Sequence, residues 1–192
     1  ESMLMNETSK KKFYDQSLEP LKVKSIFKQP LLSKTIEKIA INGKEAFYEG
    51  EIAEWIADES LSNGGLITIQ DMSSYEAKYR KPLETSYRGY KIVTMGPAAS
   101  GGLVLLQTLN IMENFDLKES GHNSADTIHI LSEAMQRAFA DRAKYHGDPD
   151  FYDVPVSEML NKEYSKERAL TIGNKRSKDG EIYPGDLKKY DE

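Results

Sequence analysis

The stretch that most constrains the fold, residues 87–115, joins a short strand to a helix through a turn of small residues. Residues 90–95 are rich in β-branched and aromatic types with period-two alternation, which predicts a strand. Pro97 and two glycines then break regular structure, and leucines at helical spacing from Leu103 predict a helix to about Met112. Such a unit gathers backbone N–H groups where the helix begins.

The turn itself, Ser100, Gly101 and Gly102, has two interpretations. The unpaired N–H groups and the dipole of the helix favour an anion there, which would make these residues substrate-binding. Alternatively, small residues merely let the helix pack close to the strand. The residues alone favour this second interpretation, because a lone Ser-Gly-Gly turn is a weak signal.

The same turn differs by one residue type from the Gly-x-Ser-x-Gly nucleophile elbow, so a serine hydrolase using Ser100 is a hypothesis. A triad needs an acid and a histidine on separate loops. His122, His129 and His146 follow, but His129 lies mid-helix and no further strand is predicted to carry an acid. The histidines are not at zinc-ligand spacing, and the sequence predicts no metal site.

Composition excludes several classes of protein. A net charge of −5 leaves no basic footprint for nucleic acid or anionic lipid. No apolar run approaches the length of a membrane span, so membrane insertion is not expected. Cysteine is absent, which excludes thiolate nucleophiles. No signal peptide is visible, and the first residue is interpreted as a cut or processed end.

The first part of the chain is predicted to be helical. Residues 1–30 are interpreted as a partly ordered, solvated lead-in. A helix capped by Ser33 is predicted to end at Gly43. Short helices are predicted over 45–50 and 51–61, with Trp55 as a packing residue. Thr68 and Asp71 have the spacing of a capping box, which predicts the start of another short helix. Two strand candidates, 76–79 and 83–94, come next; Arg88-Gly89 bends the second.

A second long helix is predicted from Asn123 or Ser124. Its predicted inward face is Ile128, Leu131, Met135, Ala138, Phe139, Arg142 and Tyr145. A buried guanidinium needs a partner, so Arg142 is predicted to be structural, paired with Asp148 or Asp150 in the following turn. These aspartates are also interpreted as turn residues that bond local backbone rather than as metal ligands.

The remainder, with one helix over about 157–171, is a polar tail that must lie along something else or be mobile. Two or three strands beside about five helices cannot cover both faces and both edges of a sheet. The fold class is therefore α+β, and the chain is predicted to be part of a larger domain.

Several blocks, in one order, carry a family resemblance. They are Gln29-Pro30, residues 32–40, 47–53, 63–68, 87–90, 100–102, 109–111, 121–125, 133–134, 138–142, 147–151, and Pro184-Gly185 with Tyr190. The chain resembles the C-terminal part of the large subunit of γ-glutamyltranspeptidases. It departs from that family at Ala98 and Ala99, where the family usually has prolines and a second serine before the glycines.

The resemblance implies an αββα sandwich of the N-terminal-nucleophile hydrolase type, incomplete without the small subunit. Residues 1–192 would be one segment of a single domain, with 172–192 an extended tail toward a self-cleavage site a few residues past Tyr190. Export to the periplasm or cell surface is implied by the family only.

The resemblance also implies a γ-glutamyl group passed from glutathione or poly-γ-glutamate to an amino acid, peptide or water. The nucleophile is the N-terminal threonine of the small subunit, the partner of this chain, with its own amine as base. No cofactor is implied, and no catalytic residue is assigned to this chain, which alone would be inactive. The alternative is a non-catalytic binding or scaffold domain that reuses the fold piece.

Overall fold

The computed structural model describes residues 7–15, 17–178 and 180–190. The chain divides into two compact units, one that reaches to Ala77 and one that begins at Lys78. The predicted lead-in and tail fall partly outside the described residues, at 1–6, 16, 179, 191 and 192. Within the described ranges, every helix is too short or too polar to cross a lipid bilayer.

The first unit is helical. Its helices are α1 (Glu7–Phe13), α2 (Pro30–Asn42), α3 (Glu45–Tyr48), α4 (Glu51–Ser62) and α5 (Ile69–Ser74). Helix α2 begins earlier than its predicted cap at Ser33, because Pro30 has the fixed φ that suits a first helical residue. Gly43 ends α2 with a φ of 71°. The capping box of Thr68 and Asp71 is confirmed at the start of α5.

The core of the first unit is small. Trp55, predicted to pack, is 51% exposed and lies 4.9 Å from the Lys38 ammonium, measured to its ring centroid. Tyr48 and Tyr75 stack with their ring centroids 5.3 Å apart. Helix α2 buries no residue, and among the described residues of this unit the buried apolar side chains are Ile52, Ala53, Ala57 and Met72. This unit therefore buries little apolar surface by itself.

The second unit begins with an antiparallel hairpin of β1 (Leu83–Tyr87) and β2 (Tyr90–Thr94). The prediction of one bent strand over 83–94 is therefore wrong. Arg88 and Gly89 form a two-residue turn with φ values of 49° and 84°, the left-handed backbone that tight hairpins need. The predicted strand over 76–79 is also wrong, since these residues adopt no regular structure.

Helix α6 is the centre of the second unit and packs against the hairpin and three other helices. The helices are α6 (Ser100–Met112), α7 (Leu117–Ser120), α8 (Ala125–Tyr145), α9 (Val156–Met159) and α10 (Lys162–Leu170), with a 3₁₀ turn at Lys188–Tyr190. The three helices that α6 packs against are α8, α9 and α10. The single helix predicted over 157–171 is wrong, because Asn161 interrupts it and caps α10 by accepting from two backbone N–H groups. Two apolar clusters form the core: Leu103, Val154, Met159, Tyr164 and Leu187, and Ile111, Met112, Ile130, Ala134 and Ala169.

Of the face of α8 predicted to point inward, Ala138 is buried and Tyr145 packs partly buried against the core, but the rest of the buried face is different. The buried residues of α8 are Ile130, Glu133, Ala134, Arg137, Ala138 and Asp141. Ile128, Leu131, Met135 and Phe139, predicted to face inward, are between 38% and 53% exposed. The alanines let α6 approach closely, and the charged groups of this face have internal partners, so the small and charged side is the one that packs.

Candidate functional site

The first turn of α6 fits tightly against the end of strand β2. A Cβ atom at position 102 would lie 2.0 Å from the carbonyl oxygen of Met95, whereas one at position 101 would meet nothing within 4 Å. Gly102 is therefore required by close packing, which supports the structural interpretation for that residue. Anion binding by Ser100, Gly101 and Gly102 stays a prediction.

Ser100 has a cationic neighbour. Its Oγ accepts a hydrogen bond of 2.8 Å from Nε of Arg142, and the Arg142 guanidinium lies 5.8 Å from the ring centroid of Phe139. A guanidinium does not give up or accept a proton at ordinary pH, so this contact does not activate Ser100 as a nucleophile.

The three histidines, all in the described part of the chain, make other contacts. Nε2 of His122 lies 3.1 Å from the side-chain amide of Asn123. His129 and His146 hydrogen-bond through Nε2 to the carbonyl oxygens of Gly173 (2.7 Å) and Ala98 (3.2 Å). These contacts give no support to a triad at Ser100. Among the described residues, no group of three or more His, Asp or Glu side chains is placed to hold a metal ion.

The predicted burial of Arg142 is wrong. Arg142 is exposed, because it lies one position beyond the buried face of α8. Asp150 accepts instead from Lys78 (2.9 Å) and Arg80 (2.8 Å), and these bonds hold the pKa of Asp150 below its ordinary value. Asp148 accepts from the backbone N–H of Asp150 at 3.0 Å, a local contact within the turn.

An apolar groove of about 430 Å³ lies between the exposed stripe of α8 and the outer side of α6. Ser100 and Arg142 are at its polar end. The apolar lining consists of Val104, Leu105, Leu109, Met112, Leu131, Met135 and Phe139. An exposed apolar surface of this kind is typical of a contact with another part of a protein.

The buried Asp141 carboxylate on α8 is the centre of a polar network that sequence reasoning missed. It accepts from Nε2 of Gln107 (2.5 Å), the hydroxyl of Tyr164 (2.6 Å) and the backbone N–H of Gly185 (2.8 Å). Nη2 of Arg168 lies 3.4 Å away. Burial, and then the contact with Asp141, raise the pKa of Tyr164 far above its ordinary value, so its hydroxyl stays a donor.

Gly185 in the tail is bound through both backbone groups. Asp141 accepts from its N–H, and Tyr145 donates to its carbonyl oxygen at 2.6 Å. We call this pair of contacts the Gly185 clamp. A Cβ atom on Gly185 would lie 2.2 Å from the Tyr164 hydroxyl, so only glycine fits. The described part of the tail thus lies along α8 and α10, one of the two outcomes that the sequence left open.

A second buried charge pair lies further toward the start of α8. Nη1 of Arg137 is 2.7 Å from Oε2 of Glu133, and Arg137 also donates to the backbone and hydroxyl of Thr171. Ser177 donates to Glu133 from its N–H and its hydroxyl. Burial alone would raise the pKa of Glu133, but the bonds from Ser177 and Arg137 outweigh it and hold this pKa below its ordinary value.

One sequence signal could have found both networks. Glu133, Arg137 and Asp141 are spaced four residues apart and therefore lie on one face of a helix. The alanines that follow the first two, at positions 134 and 138, mark that face as one that another helix can approach.

The chain is similar to known proteins in both sequence and structure. The family model described as gamma-glutamyltranspeptidase matches residues 1–192. The glutathione hydrolase proenzyme of Escherichia coli strain K12 is 45% identical over 190 residues, which is 98% of this chain and 33% of that protein. The chain therefore spans about a third of that curated relative.

Two solved structures are similar over most of the chain. Gamma-glutamyltranspeptidase from Helicobacter pylori has a TM-score of 0.83 and 43% identity, covering 95% of this chain and 53% of that one. Cephalosporin acylase from Bacillus halodurans has a TM-score of 0.78 and 30% identity, covering 91% of this chain and 32% of that one.

Proposed function

This chain belongs to the gamma-glutamyltranspeptidase family, and from that premise we propose that it is part of an enzyme that transfers or hydrolyses γ-glutamyl groups. The observation that carries the proposal is the match of the family model to all 192 residues. The structure of this chain is mostly helical with a two-stranded sheet. It represents part of the N-terminal-nucleophile hydrolase fold of its structural neighbours, a gamma-glutamyltranspeptidase and a cephalosporin acylase.

The chemistry that we propose uses a threonine outside this chain. Its hydroxyl attacks the γ-glutamyl carbonyl carbon while its own α-amine takes the hydroxyl proton, and backbone N–H groups stabilise the oxyanion. The C–N bond breaks, the proton passes to the leaving amine, and a γ-glutamyl ester remains. An amino acid, a peptide or water then attacks the ester and regenerates the hydroxyl. No residue of this chain takes part in bond breaking.

The role that we propose for this chain is to complete the fold around a small subunit that carries the threonine. The two-stranded hairpin supports this, because two strands alone are marginally stable in water. The apolar groove between α6 and α8 supports it as well, since it would be costly to leave in water. The isolated chain is accordingly proposed to be marginally stable and inactive.

We propose that the enzyme is made as a precursor that cleaves itself a few residues past Tyr190. The threonine hydroxyl attacks the carbonyl carbon before it, the C–N bond breaks, and the hydroxyl proton passes to the freed amine. Water then hydrolyses the ester and releases the two subunits. The E. coli relative, named a proenzyme, supports this proposal. The family also suggests that the enzyme is exported.

The donor is proposed to be glutathione, which the name of the E. coli relative favours, with poly-γ-glutamate as the alternative. The test is an assay of the whole purified enzyme against a γ-glutamyl anilide, glutathione and poly-γ-glutamate. We expect turnover of the anilide and of one natural donor. We also expect the γ-glutamyl group to be found on the threonine at the start of the small subunit. A whole protein with no γ-glutamyl activity and no threonine-headed segment after this chain would instead indicate a non-catalytic scaffold.

A further inference from the structure

The tail is fixed at four successive points by the second unit. Nη2 of Arg168 donates to the carbonyl oxygen of Tyr183 at 3.0 Å, and the clamp binds both backbone groups of Gly185. Leu187 is buried in the apolar core, and the ring of Tyr190 lies 5.5 Å from that of Tyr164 in an edge-to-face contact. A polar tail ordered in this way loses conformational entropy, which its contacts must offset.

Burial of the Asp141 carboxylate in the clamp carries a large desolvation cost. Asp141 is a fully buried carboxylate, and such a charge is tolerated only with several donors around it. One of those donors is the backbone of the tail itself. The close contact of Tyr164 with Gly185 leaves no room for a side chain there. The position of Gly185 is thus determined by electrostatics on one side and by packing on the other.

We propose that Asp141 and Tyr145 are positioning residues for self-cleavage of the precursor, because together they fix Gly185 and so the path of the chain toward the scissile peptide. This inference rests on the proposed function. An internal attack by a hydroxyl on the preceding carbonyl requires the two groups to be held in a near-attack geometry. Tyr190 lies only five positions after Gly185, so a shift at the clamp displaces the segment that follows.

Two substitutions disturb the clamp in different ways. Tyr145→Phe removes one hydrogen bond to the tail and keeps the ring. Gly185→Ala keeps every clamp side chain and displaces the tail through its contact with Tyr164. The matched control is Thr85→Val, an isosteric change on β1 that removes a single 3.0 Å hydrogen bond to Asn110 far from the tail in sequence.

The experiment follows cleavage of the whole precursor on gels after cell-free synthesis. A second preparation, with the proposed threonine replaced by alanine, gives the Tm of each uncleaved variant. We expect Tyr145→Phe to slow cleavage by about 3- to 10-fold and Gly185→Ala by at least about 10-fold, with Thr85→Val within about twofold of wild type. Once matured, the Tyr145→Phe enzyme should keep its kcat and KM for a γ-glutamyl anilide.

Two results separate the inference from its premise. If the wild-type precursor cleaves and both tail variants cleave as fast as Thr85→Val, the clamp has no positioning role. If slowing merely follows Tm across all three variants, the clamp is structural only, which also overturns the inference. A wild-type precursor that never cleaves overturns the proposed function and this inference with it.

Discussion

Arg142 donates from Nε to Oγ of Ser100 over 2.8 Å and joins the end of α8 to the first residue of α6. Five residues earlier on the same helix, Arg137 is buried against Glu133. The two arginines therefore offer a direct comparison of an exposed and a buried guanidinium on one helix.

Arg142→Ala is expected to cost under about 1 kcal/mol of unfolding free energy, because exposed polar contacts of this kind contribute little. The measurement is urea denaturation of the uncleaved precursor. Impaired maturation is not expected. A loss of several kcal/mol would show that Arg142 has a partner that becomes buried in the whole protein.

Arg137→Ala is expected to cost about 3–5 kcal/mol, since it leaves the Glu133 carboxylate buried without its cation. The same denaturation series measures this change, with Arg142→Ala as the matched control on α8. Equal effects of the two substitutions would contradict the burial that distinguishes them in this structure.

Ser100→Ala should leave acyl-enzyme formation intact if a threonine is the nucleophile. The hydroxyl of Ser100 is bound by a guanidinium that cannot act as a base. Burst kinetics with a γ-glutamyl anilide in the whole enzyme would measure this directly. Loss of the burst in a normally folded and normally processed protein would indicate that Ser100 is the nucleophile.

The loss of unfolding free energy at acid pH should depend in part on Glu133. Its pKa in the folded state lies below the ordinary value of 4.5, so the ionised carboxylate contributes fully above that pH. The contribution is lost as pH falls through the lowered folded value. Glu133→Gln should therefore be less stable than wild type at neutral pH, yet lose less stability as the pH falls below about 5. Parallel curves for the two proteins would contradict this assignment.

Local signals in the sequence predicted much of the fold. The capping box at Thr68 and the start of α6 at Ser100 depend on residues close in sequence, and the structure confirms them. The start of α8, predicted at Asn123 or Ser124, lies at Ala125 with Ser124 as its cap. The family resemblance, which rests on many ordered blocks, is likewise confirmed.

The predictions that were wrong concern features that depend on contacts between residues far apart in sequence. Arg88 is an unusual residue for a left-handed turn position, and it is held there by bonds to Glu113 (2.6 Å) and to the carbonyl oxygen of Phe115 (2.8 Å) beyond the end of α6. The buried face of α8 was missed because the cost of burying the Asp141 carboxylate is offset only by hydrogen bonds from Gln107 and Gly185, which are distant in sequence. Periodicity of large apolar residues cannot report such partners.

The two glycines of the α6 turn allow the sharpest test of the packing described here. Both precede the same run of leucines, and both are in the first turn of one helix, so alanine should favour the helix equally at either position. At Gly101 the new methyl group meets open space, and the helix gains about 0.5–1 kcal/mol from the lower backbone entropy of the unfolded chain.

At Gly102 the same methyl group would lie 2.0 Å from the backbone oxygen of Met95, an atom that cannot rotate away. The strand or the helix must move, and overpacking of this kind typically costs about 1–3 kcal/mol or more. Gly101→Ala should thus raise the urea midpoint slightly while Gly102→Ala lowers it clearly, in one precursor background. Equal midpoints for the two variants would mean that α6 does not approach β2 as closely as described, and a stabilised Gly102→Ala protein would rule out that close packing altogether.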